Sequence, residues 1–249
     1  MDDFHALFIR GISLKGEKVP SFSAYPFHLP AVSALEELRF SQPVTFFVGE
    51  NGSGKSTILE AIASSYGFNP EGGTRNFNFS SFQSHSNLDE YLTVIKGVFR
   101  PEDGFFLRAE SFYNVASEIE KLDDDGKLIG SYGGISLHEQ SHGESFMSLF
   151  LHKFKGNSLY ILDEPEAALS PARQMTMIAR MHELVLAGCQ FIIATHSPII
   201  MAYPEAEIYT LNEDGYTKMS YKETEHYQIT KAFLNAPDRM LNILLEEEE

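Results

Sequence analysis

Gly49-Glu50-Asn51-Gly52-Ser53-Gly54-Lys55-Ser56-Thr57 is the stretch of this chain that decides its fold. It matches the phosphate-loop pattern G-x-x-x-x-G-K-[ST] at every position. The apolar run at residues 44–48 predicts a buried strand before the loop, and residues 58–63 predict a helix after it. Because the motif requires a strand, a loop and a helix in this order, the stretch predicts a phosphate site in an α/β protein.

The residue types in this loop suit phosphate binding. Glycines allow successive backbone N–H groups to curl around an anion, and the free N–H groups at the start of a helix favour negative charge. Lys55 supplies a cation for the β- and γ-phosphates, and the Ser56 hydroxyl is suited to Mg²⁺. The expected nucleotide-binding residues are Glu50, Asn51, Gly52, Ser53, Gly54, Lys55, Ser56 and Thr57.

Composition predicts one globular domain over residues 1–249. The chain is 43% hydrophobic and 22% charged, which is ordinary for a soluble protein. Its single cysteine, Cys189, excludes an internal disulfide and fits a reducing compartment. The start Met1-Asp2-Asp3 is not the basic start of a signal peptide, and no apolar run approaches the ~20 residues needed to cross a bilayer. We therefore expect a cytoplasmic protein that does not insert into a membrane.

The net charge of −16 disfavours nucleic acid as a partner. Nucleic-acid-binding proteins carry a basic patch, whereas the 19 Lys and Arg residues here are scattered among 35 acids. A local basic groove formed on folding is the alternative.

Apolar patterning predicts strands that alternate with helices. This order implies a mostly parallel sheet covered on both faces, with residues 4–14 and 26–32 in an antiparallel region. Residues 89–99 fit either a strand or a short helix. The other predicted strands are 105–110, 158–162, 190–195 and a hairpin of 208–211 with 218–221; the other predicted helices are 111–122, 145–154, 171–187 and 223–245, interrupted near Pro237.

Two acids follow the apolar strand predicted at 158–162. Strand ends of this kind lie in the ligand crevice of an open α/β sheet. Asp163 is suited to hold Mg²⁺, and Glu164 to polarise the attacking water. The alternative is a strand that ends in a polar turn, since Pro165 follows.

His196 ends the next predicted strand, at the start of His196-Ser197-Pro198. At that position it could donate to a γ-phosphate or orient water. The alternative is a histidine without a role, because the chain has nine of them.

The stretch Ser141-His142-Gly143-Glu144-Ser145 opens a predicted helix. A small, polar, glycine-containing helix start suits a second anion site. The alternative is a capping box, with Ser141 and Glu144 satisfying the first backbone groups of the helix.

In this order, the motifs resemble those of ABC-type ATPases, and most closely the soluble AAA-family ATPases of the SMC and recombination-repair branch. They span residues 49–198, most of the chain. The matching segments are Walker A at 49–57, the signature at 141–145, Walker B at 159–164, the D-loop at 167–170 and the switch histidine at 195–198.

The resemblance implies a P-loop NTPase fold of ABC type: a RecA-like core, an antiparallel β edge and a small helical subdomain at about 88–155. It implies Mg²⁺-dependent ATP hydrolysis, with Lys55, Glu164 and His196 as catalytic residues. It also implies a head-to-tail homodimer, in which Ser141 and Gly143 contact the γ-phosphate of the other copy. A Q-loop glutamine should contact Mg²⁺, and Gln83 is the candidate.

Departures from the resemblance limit what hydrolysis could drive. Gln140, His142 and Glu144 replace residues of the usual transporter signature Leu-Ser-Gly-Gly-Gln, and no long coiled coil separates the motifs. The favoured hypothesis is a switch whose ATP-dependent dimer acts on an unknown partner protein or on nucleic acid. The alternatives are the nucleotide-binding subunit of a membrane transporter and a nucleotide sensor without significant turnover.

Overall fold

The computed structural model describes residues 7–75, 86–123, 127–212 and 215–245. Its strands are β1 (Ile9–Leu14), β2 (Glu37–Arg39), β3 (Val44–Gly49), β4 (Leu92–Lys96), β5 (Asp103–Arg108), β6 (Ser158–Asp163), β7 (Gln190–Ala194), β8 (Glu207–Asn212) and β9 (Gly215–Met219). Its α-helices are α1 (Pro30–Ser33), α2 (Lys55–Tyr66), α3 (Leu88–Tyr91), α4 (Phe112–Leu122), α5 (Lys127–Ser131), α6 (His142–Ser148), α7 (Pro171–Leu186), α8 (Glu225–Asn235) and α9 (Pro237–Leu245).

The larger sheet has six strands in the order β5-β6-β7-β3-β8-β9. Neighbours from β5 to β8 pair in parallel, and β9 pairs antiparallel with β8. Every residue of β3, β6 and β7 is buried, as in strands covered on both faces. Phe46 and Leu162 belong to the apolar cluster on one face, and Phe47 and Ile161 to the cluster on the other. The predicted, mostly parallel α/β sheet is confirmed.

The register of three adjacent strands brings the predicted site residues to one edge. Phe47 of β3 pairs with Ala194 of β7, and Ala194 pairs with Asp163 of β6. The phosphate loop after β3, Glu164 after β6 and His196 after β7 therefore begin at nearly the same level of the sheet. This is the carboxyl edge, where ligands bind in open α/β sheets.

The predicted antiparallel edge is a separate three-stranded sheet in the order β2-β1-β4. The prediction of a strand at 26–32 is wrong, because Pro30 begins the helical turn α1 instead. Proline lacks the N–H that a sheet ladder needs, and its fixed φ suits the first position of a helix. The backbone N–H of Ala31 donates to the carbonyl of Ser53 at 3.0 Å, so this segment supports the phosphate loop.

The segment expected as a helical subdomain, about 88–155, also contains two strands. Residues 89–99, predicted as either a strand or a short helix, contain parts of both, since α3 ends at Tyr91 and β4 begins at Leu92. The buried run of β5 pairs with β6 over six residues, so it extends the larger sheet. Helices dominate only from Phe112 onward. The helix predicted at 145–154 starts earlier, at His142, and continues as a π-helical turn over Leu149–Lys153.

The C-terminal part contains the predicted hairpin and two helices. Strands β8 and β9 pair antiparallel, and their two connecting residues lie outside the described part. A new helix, α9, begins at Pro237, which confirms the predicted interruption. No side chain of α8 or α9 is buried. Among the described residues, no helix has the length and apolarity needed to cross a membrane.

Candidate active site

The phosphate loop has backbone geometry that glycine permits. Gly52 has φ 80° and Gly54 has φ 97°, both in the left-handed region that side chains disfavour. At Gly49, a Cβ atom would lie 2.6 Å from the carbonyl oxygen of Leu211 on β8. The loop therefore needs its glycines for conformation and for close packing.

A cavity of about 660 Å³ adjoins the loop. Glu50, Asn51, Gly52 and Ser53 line it, together with residues of β8 and α8. The hydroxyl oxygen of Ser53 is buried and has no hydrogen-bond partner among the described residues. Thr57 lies in the first turn of α2 and is half-buried. Four of the eight predicted loop residues, Glu50 to Ser53, thus line this cavity.

Lys55 lies inside the curve of the loop and is only 4% exposed. Its Nζ donates to the carbonyls of Gly49 and Glu50, each at 2.8 Å. Burial lowers the pKa of Lys55, while the charges of Glu164 and Asp163 act in the opposite direction. A buried ammonium group held by loop carbonyls is suited to bind a phosphate oxygen.

Ser56 and Asp163 contact each other, as the magnesium prediction requires. The Ser56 hydroxyl donates to Oδ1 of Asp163 at 3.0 Å. Asp163 is buried, and this burial raises its pKa to about 6, although the Ser56 hydrogen bond and Arg108 lower it. A hydroxyl and a carboxylate in contact are oxygen ligands of the kind that Mg²⁺ uses beside substrate phosphates.

Arg108 and Glu60 complete this carboxylate's surroundings, and the sequence did not point to either. Arg108 ends β5 as the register partner of Asp163. Its Nη1 donates to Oε2 of Glu60 at 2.7 Å, and its Nε lies 3.9 Å from Oδ2 of Asp163. The signal that could have found Arg108 is its place at the end of the strand predicted at 105–110, beside the acidic strand.

Glu164 stands at the surface of the site. Its backbone is left-handed, with φ 50° and ψ 53°, and its side chain is 42% exposed. Its Oε1 lies 3.7 Å from Nε2 of His196. The side chain therefore reaches solvent water while it remains beside the predicted switch histidine.

His196 is held from two sides. Its backbone N–H donates to Oε1 of Glu166 at 2.5 Å, and its Nδ1 lies 3.2 Å from Nε2 of His226 on α8. Burial lowers the pKa of His196 to about 4, and the nearby Lys55 and His226 add to this effect. The ring is therefore neutral at pH 7. The sequence indicated His196 but not His226.

Glu166 joins the loops after β6 and β7. Besides the His196 amide, its carboxylate accepts from Oγ1 of Thr195 at 2.8 Å. Burial raises the pKa of Glu166, while these hydrogen bonds lower it. The side chain fixes the position of His196 relative to Glu164. No motif in the sequence distinguishes it from the neighbouring acids.

Ser141 and Gly143 lie at the start of α6. Ser141 is the N-cap, and its backbone N–H and hydroxyl both donate to Oε2 of Glu144, at 3.0 and 2.6 Å. The capping alternative is therefore confirmed. Gly143 is buried against Arg173 and the carbonyl of Ala168. Their role as a second anion site stays a prediction, and Gln83 lies outside the described residues.

Comparison with known proteins connects this geometry to a family. The sequence model of a family described as an AAA domain matches residues 26–174, more than half of the chain. The chain is 27% identical over 209 residues to a protein of Caldanaerobacter subterraneus subsp. tengcongensis named as an ABC transporter ATP-binding protein. That match covers 76% of this chain and 85% of the relative.

Two further relatives are larger proteins. The ribose import ATP-binding protein RbsA of Yersinia pestis is 24% identical over 201 residues, or 74% of this chain and 38% of the relative. The DNA repair protein RAD50 of Drosophila melanogaster is 33% identical over 97 residues, or 39% of this chain and 7% of the relative. The chain therefore spans much less than two thirds of the length of these two relatives.

Proposed function

Because the chain belongs to the AAA domain family and is an ABC-type P-loop ATPase, we propose that it hydrolyses ATP with Mg²⁺ and that ATP joins two copies head to tail. The observation that supports hydrolysis best is the meeting of catalytic side chains at the ends of three adjacent strands. Lys55 and Ser56 follow β3, Asp163 ends β6 with Glu164 directly after it, and His196 follows β7.

The loop and Lys55 bind the triphosphate. Gly52 and Gly54 allow the loop backbone to curl, so its N–H groups can face an anion at the start of α2. Lys55 exchanges its loop carbonyls for oxygens of the β- and γ-phosphates. Its burial makes this exchange favourable, because a charge removed from water gains most from a full negative partner.

Ser56 and Asp163 are the residues that would hold Mg²⁺. Their oxygens lie 3.0 Å apart, and Mg²⁺ sites in ATPases commonly use one or two protein oxygens completed by phosphates and water. When bound, Mg²⁺ neutralises charge on the phosphate oxygens.

Glu164 orients and polarises the attacking water. Its partly exposed carboxylate can accept a proton from water while Asp163, its buried neighbour, faces Ser56. His196 lies beside it with an Nε2 atom that has no hydrogen-bond partner among the described residues. His196 donates to the terminal phosphate and so links Glu164 to the presence of that phosphate.

Ser141 and Gly143 supply the second half of each nucleotide site from the other copy. Ser141 is exposed at the start of α6, so a second molecule has access to it. Its hydroxyl donates to Glu144, and a γ-phosphate oxygen would replace Glu144 as the acceptor. Two copies in a head-to-tail arrangement would place each loop against the other copy's α6.

The dimer acts as a switch on a partner, in this proposal a protein. The charge of −16 disfavours nucleic acid. The second candidate function is the ATP-binding subunit of a membrane transporter. The names of the ATP-binding relatives from Caldanaerobacter and Yersinia, which refer to a transporter and to import, favour this alternative.

The decisive experiment uses Glu164→Gln in the full chain. The variant should bind ATP with Mg²⁺ and hydrolyse it at least about a hundredfold more slowly than the wild type, since its general base is absent. It should also elute as a dimer with ATP and as a monomer with ADP. The matched control is Glu36→Gln, whose side chain is exposed and is not among the predicted site residues.

Near-wild-type turnover by Glu164→Gln would contradict the role of Glu164. An unchanged elution volume with ATP would contradict the dimer. Affinity capture with the ATP-loaded variant, against an ADP control, then separates the two functions: an integral membrane protein supports the transporter subunit, and a soluble protein supports the switch.

A further inference from the structure

The C-terminal helix α8 contacts the predicted switch histidine through His226. His226, in the first turn of α8, has Nε2 3.2 Å from Nδ1 of His196, with the ring centroids 5.4 Å apart. The helix follows the β8–β9 hairpin and lies beyond residues 49–198, which contain all the recognised motifs. It therefore adds to the site a residue that the motifs do not include.

We propose that His226 is a positioning residue, which donates from its Nε2–H to Nδ1 of His196 and thereby keeps the hydrogen of His196 on Nε2, facing the terminal phosphate. The inference rests on the proposed ATPase function and assigns to it a further residue and the helix that carries it.

The number of hydrogens on the two rings limits the arrangements. A neutral imidazole carries one N–H and one lone pair, so the contact between Nδ1 and Nε2 contains one shared hydrogen. Burial is the largest influence on both rings, and it lowers the pKa of His196 and of His226. Two neutral rings leave two choices: His226 donates to His196, or His196 donates to His226.

The carboxylate of Glu164 favours the first choice. Its Oε1 lies 3.7 Å from Nε2 of His196. If His196 donated from Nδ1, the lone pair on its Nε2 would face this negative charge. If His226 donates, the Nε2–H of His196 faces Glu164, and the electrostatic interaction is attractive. The same N–H is buried and has no hydrogen-bond partner among the described residues, so it remains available to a phosphate oxygen.

Helix α8 also borders the cavity beside the phosphate loop. Glu225, His226, Gln228 and Ile229 line it opposite residues 50–53. His226 belongs to this helix, so a displacement of α8 would separate the two rings. The hydrogen of His196 would then no longer be held on Nε2. The position of α8 and the turnover of ATP are coupled through this contact.

The test compares three variants of the full chain by the kcat and KM of ATP hydrolysis with Mg²⁺. His226→Ala removes the donor, so kcat should fall about tenfold or more while KM changes less than about twofold. His226→Gln should recover most of kcat, because its side-chain amide can donate from a similar distance. Thr230→Ala, on an exposed position of the same helix, should match the wild type.

A second readout is independent of activity. Long-range ¹H–¹⁵N NMR spectra of the imidazoles should show His196 with its hydrogen on Nε2 in the wild type, and should lose this preference in His226→Ala. A wild-type His196 protonated on Nδ1, or a folded His226→Ala with unchanged kcat, would overturn the inference. A wild type without any hydrolysis would instead contradict the proposed function, and the spectra would still decide the His226 contact.

Discussion

The Ser56 hydroxyl donates to Oδ1 of Asp163 at 3.0 Å and so joins the first turn of α2 to the end of β6. These residues are 107 positions apart in the chain. The contact brings a phosphate-loop hydroxyl and a strand-end carboxylate to one point, where a single cation could bind both oxygens. It joins the phosphate loop directly to the acidic strand end, two of the motifs found in the sequence.

Removal of the Ser56 hydroxyl should weaken the apparent affinity of the ATPase for Mg²⁺. In Ser56→Ala, the Mg²⁺ concentration for half-maximal hydrolysis should rise about tenfold or more, since one oxygen ligand is lost. A magnesium titration of the ATPase rate measures this. Ser64→Ala, on the same helix, is the control. An unchanged titration curve for Ser56→Ala would remove Ser56 from the site.

Replacement of Lys55 should weaken ATP binding and leave the chain folded. Lys55→Met keeps much of the side chain's volume but loses its charge-assisted bonds, so ATP affinity should fall about ten- to a hundredfold. Calorimetric titration with ATP measures the loss, and circular dichroism checks the fold. The control Lys222→Met removes an exposed lysine. Wild-type ATP affinity in Lys55→Met would contradict a phosphate-binding role of Lys55.

Gly143 should tolerate no side chain. In Gly143→Ala, the new Cβ would lie 2.7 Å from the carbonyl oxygen of Ala168 and would also contact the guanidinium group of Arg173. Arg173 can move, but the backbone carbonyl cannot, so we expect a loss of about 1–3 kcal/mol in the free energy of unfolding. Urea denaturation measures it. Gly130→Ala is the control, because among the described residues no atom outside its own helix and chain neighbours lies within 4 Å of its Cβ position.

His196 should make stability depend on pH in a defined window. Its pKa falls from 6.5 to about 4 on folding, so the unfolded chain binds this proton more tightly. The free energy of unfolding should therefore decrease as pH falls from 6.5 towards 4, by roughly 2 kcal/mol from this group after allowance for its partial exposure.

Urea denaturation of wild type and His196→Gln across this range isolates the contribution of His196. The difference between their unfolding free energies should shift in favour of the variant as the pH decreases. His28→Gln, at an exposed position, is the control for the loss of a histidine. A constant difference between wild type and His196→Gln from pH 7 to 4 would refute the prediction.

The local motifs were predictable because each is encoded in consecutive residues. The glycines and Lys55 define the loop by themselves, and the apolar run before Asp163 shows that this acid ends a buried strand. Their meeting at one edge follows from the parallel order of the strands. For this reason the prediction of the fold class, which is confirmed, and that of the site residues at this edge required no knowledge of distant contacts.

Other site residues were not predictable because their role depends on chain segments far apart. Arg108 gains its role from the register of β5 against β6, and His226 from the packing of α8 against the loop after β7. The error at 26–32 has a local cause: Pro30 begins a helical turn within an apolar run that alternation alone assigns to a strand. The spacing of apolar residues within a segment does not show which distant segment it packs against.

The two C-terminal helices contribute no buried side chain, and this has a consequence for how the molecule fluctuates. Their backbone amides can exchange with solvent through local opening, at a much lower free energy than the amides of β3 and β6 need. Local opening of α8 would break the contact between His226 and His196. A ligand that immobilises His196 should therefore slow deuterium uptake in α8. The exchange rate of this surface helix would then report whether the nucleotide site is occupied.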